Sequence, residues 1–402
     1  MLGIWASSFE YRDFRVLFGS TLVYSIGMGM DMVALGWLVL DMTNSPFMVA
    51  VALAARGAPQ FFLGILSGAF ADQVDRRILL RVIVLWSSLS AMFMAVLILT
   101  NLISTWHVVA IAMLWGASHA FIEPVRQAYI YDIVGRERAL NGLALIALSK
   151  RIGFIIGPFI AGVMIAVLGV GEQYLAISVS YLIAHVTLYA IRGVGQSAPR
   201  NRQSTLHNLV GAFQLIRTNH ILVVLMLFTA LNDMLGYSSF VLLPVFARDV
   251  LDIGPQGLGV MNGVSAAGGT LAVIFLASLG DFNRKGLLML TCSIVGGISL
   301  MGFSQSANLF VILAILAVAN CCFTAVDTLT MTMMQTNVAN EERGRAMGAH
   351  RMGIGTGPVG HIGLGATAAI LGVPAALLIS GGILAFIAAV SVIGSSRLRR
   401  LV

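Results

Sequence analysis

Two short strings decide the fold of this chain: RIGFIIGP at Arg151–Pro158 and RMGIGTGP at Arg351–Pro358. Both follow the pattern R-[I/M]-G-x-x-x-G-P, and the second begins about half a chain length after the first in a sequence of 402 residues. Chance can produce one G-x-x-x-G-P in a glycine-rich apolar chain, but a second copy with arginine at the same offset is harder to dismiss. The strings therefore predict a protein built from two related halves.

The composition indicates the class of protein to which these halves belong. Hydrophobic residues make up 58% of the chain and charged residues only 10%, which excludes ordinary soluble packing. A helix needs about 20 apolar residues to cross a bilayer, and the sequence contains twelve such stretches. They lie near 15–40, 46–71, 78–100, 106–128, 140–169, 173–193, 220–247, 255–280, 286–303, 309–334, 346–371 and 373–395.

The distribution of positive charge predicts how the chain is oriented in the membrane. A net charge of +7 could indicate nucleic-acid binding, but the Lys and Arg residues between the predicted spans concentrate on one side, with Arg248 as the exception. This is the positive-inside asymmetry, so we expect both termini in the cytoplasm, an even number of spans and no nucleic acid as partner. The first apolar stretch is too long for a cleavable signal peptide, and no basic residue precedes it in Met1–Tyr11.

Polar residues inside predicted spans are the candidate functional groups, because a charge at that depth costs roughly 2.5–3.5 kcal/mol on insertion scales. In the fourth span Glu123 and Arg126 are three residues apart, so they can share a helical face and neutralise each other. The other candidates for substrate or proton binding are Asp31 in the first span, Arg56 in the second, Asp233 in the seventh, and Asn320 and Asp327 in the tenth.

The predicted cytoplasmic turns carry a second repeated pattern. The chain reads GAFADQVDRR over Gly68–Arg77 after the second span, and the corresponding turn of the second half contains Asp281. The leading glycine permits close helix approach, Asp72 can cap or form a salt bridge at the membrane boundary, and the final arginines anchor the turn among headgroups. This predicts a rigid cytoplasmic latch and supports the duplication.

Because of this turn, the chain resembles a major facilitator superfamily transporter. The motif of that superfamily after the second helix is G-x-x-x-D-[R/K]-x-G-R-[R/K]. Gly68, Asp72, Arg76 and Arg77 match the motif, and Gln73 and Asp75 depart from it. The strings VALGW at Val33–Trp37 and PVRQA at Pro124–Ala128 are similar to the bacterial drug and siderophore exporter branch that includes the enterobactin exporter. The resemblance covers essentially the whole chain. It implies an all-α membrane protein with twelve transmembrane helices in two six-helix halves, the major facilitator fold.

Within that resemblance the two opening strings become candidate gating elements. A glycine-rich G-P string in the fifth helix resembles the antiporter motif of exporters, with Ala161 replacing the first of its two terminal glycines. The eleventh span holds more glycine than packing alone requires, which favours bending or sliding. We therefore predict that the fifth helix seals and the eleventh flexes. The gating positions in the two strings are Arg151, Gly153, Gly157, Pro158, Arg351, Gly353, Gly357 and Pro358.

The resemblance also places Asp31, Asp233 and Asp327 around a central cavity. Burial raises the pKa of a carboxyl group and a nearby arginine lowers it, so a cavity aspartate can be tuned to exchange a proton near neutral pH. The alternative is a static ion pair with Arg56 or another cation. Glu123 favours the structural alternative, because a cation lies within reach on its own helix.

Three basic residues near the strings have two interpretations. Lys150 and Arg151 could bind an anionic substrate. Arg151 and Arg351, however, are expected near the cytoplasmic ends of their helices, where long side chains reach the interface, so gating or anchoring is favoured for them. A pair between Asp72 and Arg351 is a hypothesis for the latch.

The leading hypothesis is a secondary active transporter that exports a small amphipathic molecule, a drug or siderophore, across the bacterial inner membrane by proton antiport and alternating access. The alternatives are an uptake or facilitated-exchange transporter without proton coupling, and a membrane sensor. An enzyme is not expected, because the scattered histidines and cysteines form no metal-site or nucleophile–base pattern. No metal and no cofactor are therefore predicted.

The domain and partner predictions follow from these assignments. We expect an N-terminal six-helix half at 1–193, a cytoplasmic linker at 194–219 and a C-terminal six-helix half at 220–402. The expected partners are a small-molecule substrate, protons and the lipid bilayer, and the chain is expected to act as a monomer.

Overall fold

The computed structural model describes residues 7–71, 74–193, 219–339 and 342–401, with the backbone alone at 64–71 and Arg397. These ranges are almost entirely helical. The helices are α1 (Arg12–Thr43), α2 (Pro46–Ala71), α3 (Arg76–Leu99), α4 (Thr105–Val167), α5 (Val170–Thr187), α6 (His220–Leu231), α7 (Gly254–Leu279), α8 (Lys285–Gln305), α9 (Leu309–Thr336), α10 (Arg343–Ile354), α11 (Gly357–Leu371), α12 (Val373–Gly394) and α13 (Ser396–Arg399). Short 3-10 helices lie at Ser7–Glu10 and Leu188–Ala190.

Many of these helices are long and apolar enough to cross a membrane, which makes the chain a multi-pass membrane protein. Within the described ranges there are ten such segments. One of them, Thr105–Val167, is α4, and another, Arg343–Leu371, joins α10 to α11. The predicted number of twelve transmembrane helices stays a prediction.

Helix α4 folds back on itself at Gly135, which has φ 74° and ψ 171°. Lys150 lies 27 residues beyond Glu123, about 40 Å along a straight helix, yet its Nζ atom is 2.9 Å from Glu123 Oε2. The two arms of α4 are therefore antiparallel neighbours. They correspond to the predicted spans 106–128 and 140–169. The turn between these spans lies at Gly135, because glycine adopts a positive φ without a Cβ penalty.

The segment that follows α6 is not a regular α-helix, although the predicted span 220–247 is continuous. A π-helical turn at Asn232–Gly236 precedes a 3-10 stretch at Tyr237–Leu242, and a second π-helical turn lies at Phe246–Val250. Pro244 lacks the N–H that a continuing helix would use, which accounts for part of the irregularity. Single π-turns inside a helix are frequent at functional sites, and Asp233 lies in the first of them.

The two opening strings adopt different backbones. The first runs through Pro158 inside the second arm of α4 without interruption. The second is broken, because α10 ends at Ile354 and α11 begins at Gly357, with Pro358 in its first turn. Proline is tolerated there because its missing N–H would be unpaired in any case. The flexing predicted for the eleventh span and the sealing predicted for the fifth both stay predictions.

The chain divides into two compact units that do not follow its linear halves. Unit 1 comprises Met1–Met42, Ala58–Arg202 and Gly254–Gly263. Unit 2 comprises Thr43–Gly57, Gln203–Ile253 and Val264–Val402. The division therefore passes through α2 and through α7. The predicted boundaries at 193 and 219 stay predictions, since 194–218 lie outside the described residues.

In unit 2, an apolar core forms where α6 packs against α8 and α9. Leu222, Leu225 and Phe228 are spaced by three residues along one face of α6 and are buried. Met289 on α8 and Met333 on α9 are buried in the same cluster. A recurrence of three to four residues places apolar side chains on one helical face, so this pattern fixes the orientation of α6. That orientation positions the π-helical turn which follows it.

Candidate functional site

Unit 1 contains an ionic cluster, the basic triad, formed by Glu123, Arg126 and Lys150, of which Arg126 is buried and the other two are half-buried. Arg126 Nη1 donates a hydrogen bond of 2.9 Å to Glu123 Oε1, and Lys150 Nζ lies 2.9 Å from Glu123 Oε2. The contact that the three-residue spacing predicts between Glu123 and Arg126 is present. Sequence reasoning missed the contact to Lys150, because only the fold-back at Gly135 brings the second arm of α4 to the first.

Two aromatic side chains, Tyr24 and Tyr181, stack beside the Arg126 guanidinium group of the basic triad. The Arg126 guanidinium carbon lies 5.5 Å from the centroid of the Tyr24 ring, at cation–π distance. That ring stacks on Tyr181 with centroids 4.7 Å apart. The Arg126 side chain is 3% exposed, and its Nε atom has no hydrogen-bond partner among the described residues.

His119 lies one helical turn before Glu123 and links three helices of unit 1. Gln60 Nε2 on α2 donates to His119 Nδ1 over 3.1 Å. With that tautomer, His119 Nε2 donates to Met28 Sδ on α1 over 3.2 Å. The His119 ring also stacks on Trp115 with centroids 5.4 Å apart. This arrangement fits a packing residue that presents a polar edge.

Asp31 and Arg56, the candidates from the first two predicted spans, belong to different units. Asp31 is 8% exposed on α1 in unit 1, seven residues beyond Tyr24 and therefore about 10 Å further along the helix. Arg56 lies on the portion of α2 that belongs to unit 2. The pairing of these two residues stays a prediction.

Unit 2 contains a second set of titratable side chains, the acid–histidine cluster, formed by Asp233, Asp327 and His350. His350 Nε2 on α10 lies 3.2 Å from Asp327 Oδ1 on α9. The His350 side chain is 3% exposed and that of Asp327 is 37% exposed. Sequence reasoning missed His350, although its position directly before the second string was an available signal.

Asp233 lies where the π-helical turn meets the break between α10 and α11. A Cβ atom at Gly357 would lie only 2.6 Å from Asp233 Oδ2, so a residue without a side chain is needed for this approach. The buried Oδ2 atom has no hydrogen-bond partner among the described residues, although the Gly357 backbone lies against the carboxylate. Ser238 Oγ donates to the Asp233 carbonyl oxygen over 2.9 Å. The irregular backbone thus presents one incompletely hydrogen-bonded carboxylate.

The Asn320 side chain forms hydrogen bonds between helices. Its Nδ2 atom donates to the Ser265 carbonyl oxygen over 2.9 Å and is 2.8 Å from Ser265 Oγ. Thr324 Oγ1 donates to Asn320 Oδ1 over 3.3 Å. These bonds attach α9 to α7, which indicates a structural use of the side chain.

Each opening string packs against the element that carries an aspartate. A Cβ at Gly157 would lie 2.4 Å from Ile26 O and 2.8 Å from Met30 N, directly before Asp31. Gly153 approaches Ser25 on the same helix as closely. In unit 2, Gly353 meets Thr229 and Gly357 meets Asp233. This equivalence of packing supports the relationship between the two strings.

The turn after α2, which the sequence predicts to be cytoplasmic, is described only in part. Gly68 lies in α2 where the backbone alone is described, and Asp72 lies outside the described residues, so the pair of Asp72 with Arg351 stays a hypothesis. Arg76 Nη1 contacts both carboxylate oxygens of Asp132, at 2.8 and 3.0 Å. Arg77 Nη1 donates to the Arg192 carbonyl oxygen over 3.4 Å at an exposed position.

The corresponding turn of the second half contains a local ion pair. Lys285 Nζ is 2.7 Å from Asp281 Oδ1, four residues earlier in the chain. The hydrogen bond from Lys285 holds the pKa of the exposed Asp281 carboxyl below its usual value. Of the two string arginines, Arg351 is exposed and Arg151 is half-buried. Their gating roles stay predictions.

The comparisons with known proteins identify the family. The family model described as "Transmembrane secretion effector" matches residues 4–401. The chain belongs to this family of the major facilitator superfamily. Membership of this family confirms the resemblance to the major facilitator superfamily that the sequence motifs indicated. It makes the chain a relative of transporters.

Curated relatives of the chain confirm the resemblance to the bacterial drug and siderophore exporter branch. It is 24% identical over 373 residues to a staphyloferrin A transporter of Staphylococcus aureus, covering 91% of the chain and 92% of the relative. It is 25% identical over 375 residues to the multidrug efflux pump Tap of Mycolicibacterium fortuitum, with 90% of each covered. It is 24% identical over 339 residues to the enterobactin exporter EntS of Shigella boydii, covering 83% and 80%.

A solved structure supports the fold. The structure of the nucleoside transporter NupG matches this chain with a TM-score of 0.77 at 16% identity, covering 94% of this chain and 98% of NupG. At that identity the likeness concerns the fold alone. Within the described ranges no group of three or more His, Cys, Asp or Glu residues could hold a metal ion.

Proposed function

We propose that the chain exports a small amphipathic molecule, a drug or siderophore, across the bacterial inner membrane by proton antiport and alternating access. In this proposal twelve transmembrane helices form two six-helix halves, both termini are cytoplasmic, and the protein works as a monomer. The family membership and the exporters among its relatives support outward transport. The fold-back of α4, which supplies two membrane passes from one helix, supports the higher helix count.

The acid–histidine cluster is the observation that carries the proton step. Asp233 is held at an irregular backbone, and its buried Oδ2 atom has no hydrogen-bond partner in the part of the chain that the structure describes. Asp327 adds a second negative charge to the cluster. A proton entering from outside would neutralise Asp233, while His350 Nε2 lies 3.2 Å from Asp327 Oδ1 in the same cluster. Glu123 is a weaker candidate, because Arg126 and Lys150 already neutralise it.

Proteoliposomes with an imposed pH gradient test the coupling. Labelled anionic, neutral and cationic amphipathic probes would be followed in wild type and in Asp233→Asn. With one proton per substrate, one pH unit can sustain roughly tenfold accumulation. We expect wild type to show this dependence and Asp233→Asn to lose it.

The control is Asp252→Asn, which makes the same change in a loop where φ is 52° and asparagine is tolerated. It should keep the pH dependence. Wild-type transport that ignores the gradient would favour facilitated exchange without protons. If Asp233→Asn kept the dependence and Asp31→Asn lost it, the proton would be assigned to α1 and the acid–histidine cluster would lose this role.

A further inference from the structure

Arginine side chains hold the start of α3 against the segment that follows α5. Arg81 Nη2 and Nε donate to the Leu188 carbonyl oxygen over 2.9 and 3.3 Å. Arg77 Nη1 donates to the Arg192 carbonyl oxygen over 3.4 Å. Arg77 and Arg81 are four residues apart, as are Leu188 and Arg192, so the two segments run antiparallel beside each other. These four residues and Tyr189 form the arginine seam of unit 1.

Arg81 keeps hydrogen-bonding capacity at this seam. Its guanidinium carbon lies 4.3 Å from the centroid of the Tyr189 ring, which covers one face of the group. A guanidinium group has five N–H donors, and Arg81 uses its Nε and Nη2 atoms on a single carbonyl oxygen. The Arg192 side chain is exposed. In the ranges that the structure describes, neither Arg81 nor Arg192 has a carboxylate within 4 Å of its guanidinium group.

The acidic residues close to the arginine seam bind backbone N–H groups instead. Asp13 Oδ2 accepts hydrogen bonds from the Gly193 and Arg192 N–H groups over 2.7 and 3.2 Å. Asp75 Oδ1 accepts from the Arg77 N–H group over 2.8 Å at the start of α3. These carboxylates fix chain ends, and the side-chain donors of Arg81 and Arg192 stay available to an anion from outside the protein.

An exposed apolar surface begins beside the arginine seam and continues along both helices. Ser88 on α3 and Ser178 on α5 each donate a hydrogen bond of 2.9 Å to the other's carbonyl oxygen, so the helices remain neighbours. Side chains between 45% and 58% exposed recur every three or four residues, at Val82, Trp86, Leu89 and Phe93 on α3 and at Val179, Ile183 and Val186 on α5. The α3 stripe is about 16 Å long. That length is close to half of a hydrocarbon core of about 30 Å, and so to one leaflet.

The corresponding helix of the second half does not carry this arginine. Helices α3 and α8 both begin with a buried basic residue, Arg76 and Lys285. The sixth residue is Arg81 in α3 and Leu290 in α8, and Leu290 is fully buried. A helix of this kind therefore packs without a cation at its sixth position, so packing alone does not account for Arg81.

We propose that the arginine seam binds one anionic phospholipid, with its phosphate oxygens on Arg81 and Arg192 and an acyl chain on the apolar surface of α3 and α5. A guanidinium group matches the geometry of a phosphate and can bind it through two parallel hydrogen bonds. Basic residues beside membrane helices attract anionic lipids, and a tyrosine at the position of Tyr189 suits the headgroup level. The site is separate from the proposed proton step and does not rest on it.

Native mass spectrometry of the detergent-purified full-length protein tests this site. The protein is titrated with dioleoyl phosphatidylglycerol, which is anionic, and with dioleoyl phosphatidylcholine, which has the same chains and no net charge. We expect phosphatidylglycerol to bind about tenfold more tightly, the factor that one charge-assisted hydrogen bond supplies. Arg81→Gln and Arg192→Gln should each reduce this preference, and the double variant should abolish it.

Arg136→Gln is the matched control, because it removes the same charge from an exposed position elsewhere in unit 1. It should leave the lipid preference unchanged. Inorganic phosphate at the same concentration should not displace phosphatidylglycerol, because it lacks the acyl chains that the apolar surface binds. Arg192→Gln keeps the test available if Arg81→Gln fails to fold, since the Arg192 side chain is exposed and its carbonyl oxygen, not its side chain, holds Arg77.

Equal binding of the two lipids by the wild type would overturn the proposal, and the arginines would then only cap the last carbonyl groups of α5. A preference that survives in the double variant would place the lipid elsewhere and overturn it as well. An equal loss in Arg136→Gln would show attraction by overall charge rather than a site. Displacement by inorganic phosphate would make the ligand a soluble anion, which also contradicts the proposal.

Discussion

Arg76 and Asp132 form an enclosed ion pair in unit 1, with side chains 10% and 11% exposed. Removal of one partner leaves a buried charge uncompensated, which typically costs about 3–5 kcal/mol. We therefore expect Arg76→Ala to lower the free energy of unfolding by about 3 kcal/mol. Thermal unfolding of the detergent-solubilised protein measures this loss.

Arg77→Ala is the control for this prediction, because Arg77 makes an exposed hydrogen bond to a backbone carbonyl. Its effect should be about 1 kcal/mol, the usual net contribution of one hydrogen bond. A double variant, Arg76→Met with Asp132→Leu, should lose less stability than Arg76→Ala, because Asp132 is no longer left as a buried charge without Arg76. Equal losses in Arg76→Ala and Arg77→Ala would contradict the assignment.

At this scale the sequence predicted contacts between near neighbours and missed those between distant ones. Glu123 and Arg126 share a helical face by their spacing, so their contact could be expected. Lys150 and His350 become partners of carboxylates only through a fold-back and a helix-to-helix contact. Spacing along the chain contains no information on such contacts.

At the scale of elements, the two strings use glycine against different neighbours. An alanine Cβ at position 157 would meet the α1 backbone at Ile26 and Met30, which cannot move aside easily. At position 357 it would meet the Asp233 carboxylate, which is a side chain. Overpacking a well-packed site costs about 1–3 kcal/mol, so Gly157→Ala should lower the melting temperature more than Gly357→Ala.

The two glycine substitutions should also differ in their effect on proton coupling. We expect Gly357→Ala to displace the Asp233 carboxylate and weaken the pH dependence of transport, while Gly157→Ala mainly lowers stability. Gly363→Ala is the matched control, because nothing lies within 4 Å of its Cβ position, and alanine in a helix is favoured over glycine by about 1 kcal/mol. Equal effects of the Gly157 and Gly357 substitutions on both readouts would refute the division between a sealing and a flexing helix.

Whether each string continues or breaks its helix was open at the sequence level. Both contain Gly-Pro at the same offset, yet α4 continues through Pro158 whereas α10 ends before Gly357. The additional Gly355 and the neighbouring π-helical turn distinguish the second copy. A helix interior tolerates proline when neighbouring groups satisfy the freed carbonyl, so the outcome depends on the packed environment.

At the scale of the whole molecule, the two compact units exchange segments of the linear chain. Residues 43–57 precede the predicted linker yet belong to unit 2, and 254–263 follow it yet belong to unit 1. We therefore expect fragments 1–202 and 203–402 to co-purify when they are co-expressed. Either fragment alone should give little folded protein, because it lacks part of its unit.

Affinity capture through a tag on one fragment, followed by size-exclusion chromatography, measures this association. Cutting the chain makes the association bimolecular, so the contacts within the units must offset the loss of translational and rotational freedom. Fragments that fold separately and do not co-purify would contradict the exchanged segments.

The sequence by itself determined the class of fold and the family. Composition alone requires membrane-spanning helices, because 58% hydrophobic residues cannot be buried in a soluble chain of this charge. The repeated strings and the turn motif identify the superfamily, since these residues recur at fixed offsets along the chain. Such features are local, and local spacing is directly legible in a sequence.

Only the tertiary structure decided which charges meet. The fold-back at Gly135 assembles the basic triad, and the π-helical turn and the broken string bring Asp233 against Gly357. The energies of buried charges depend on distance and on the neighbours that replace water. Both quantities arise from packing between segments far apart in the chain, so the candidate sites appear only in the folded protein.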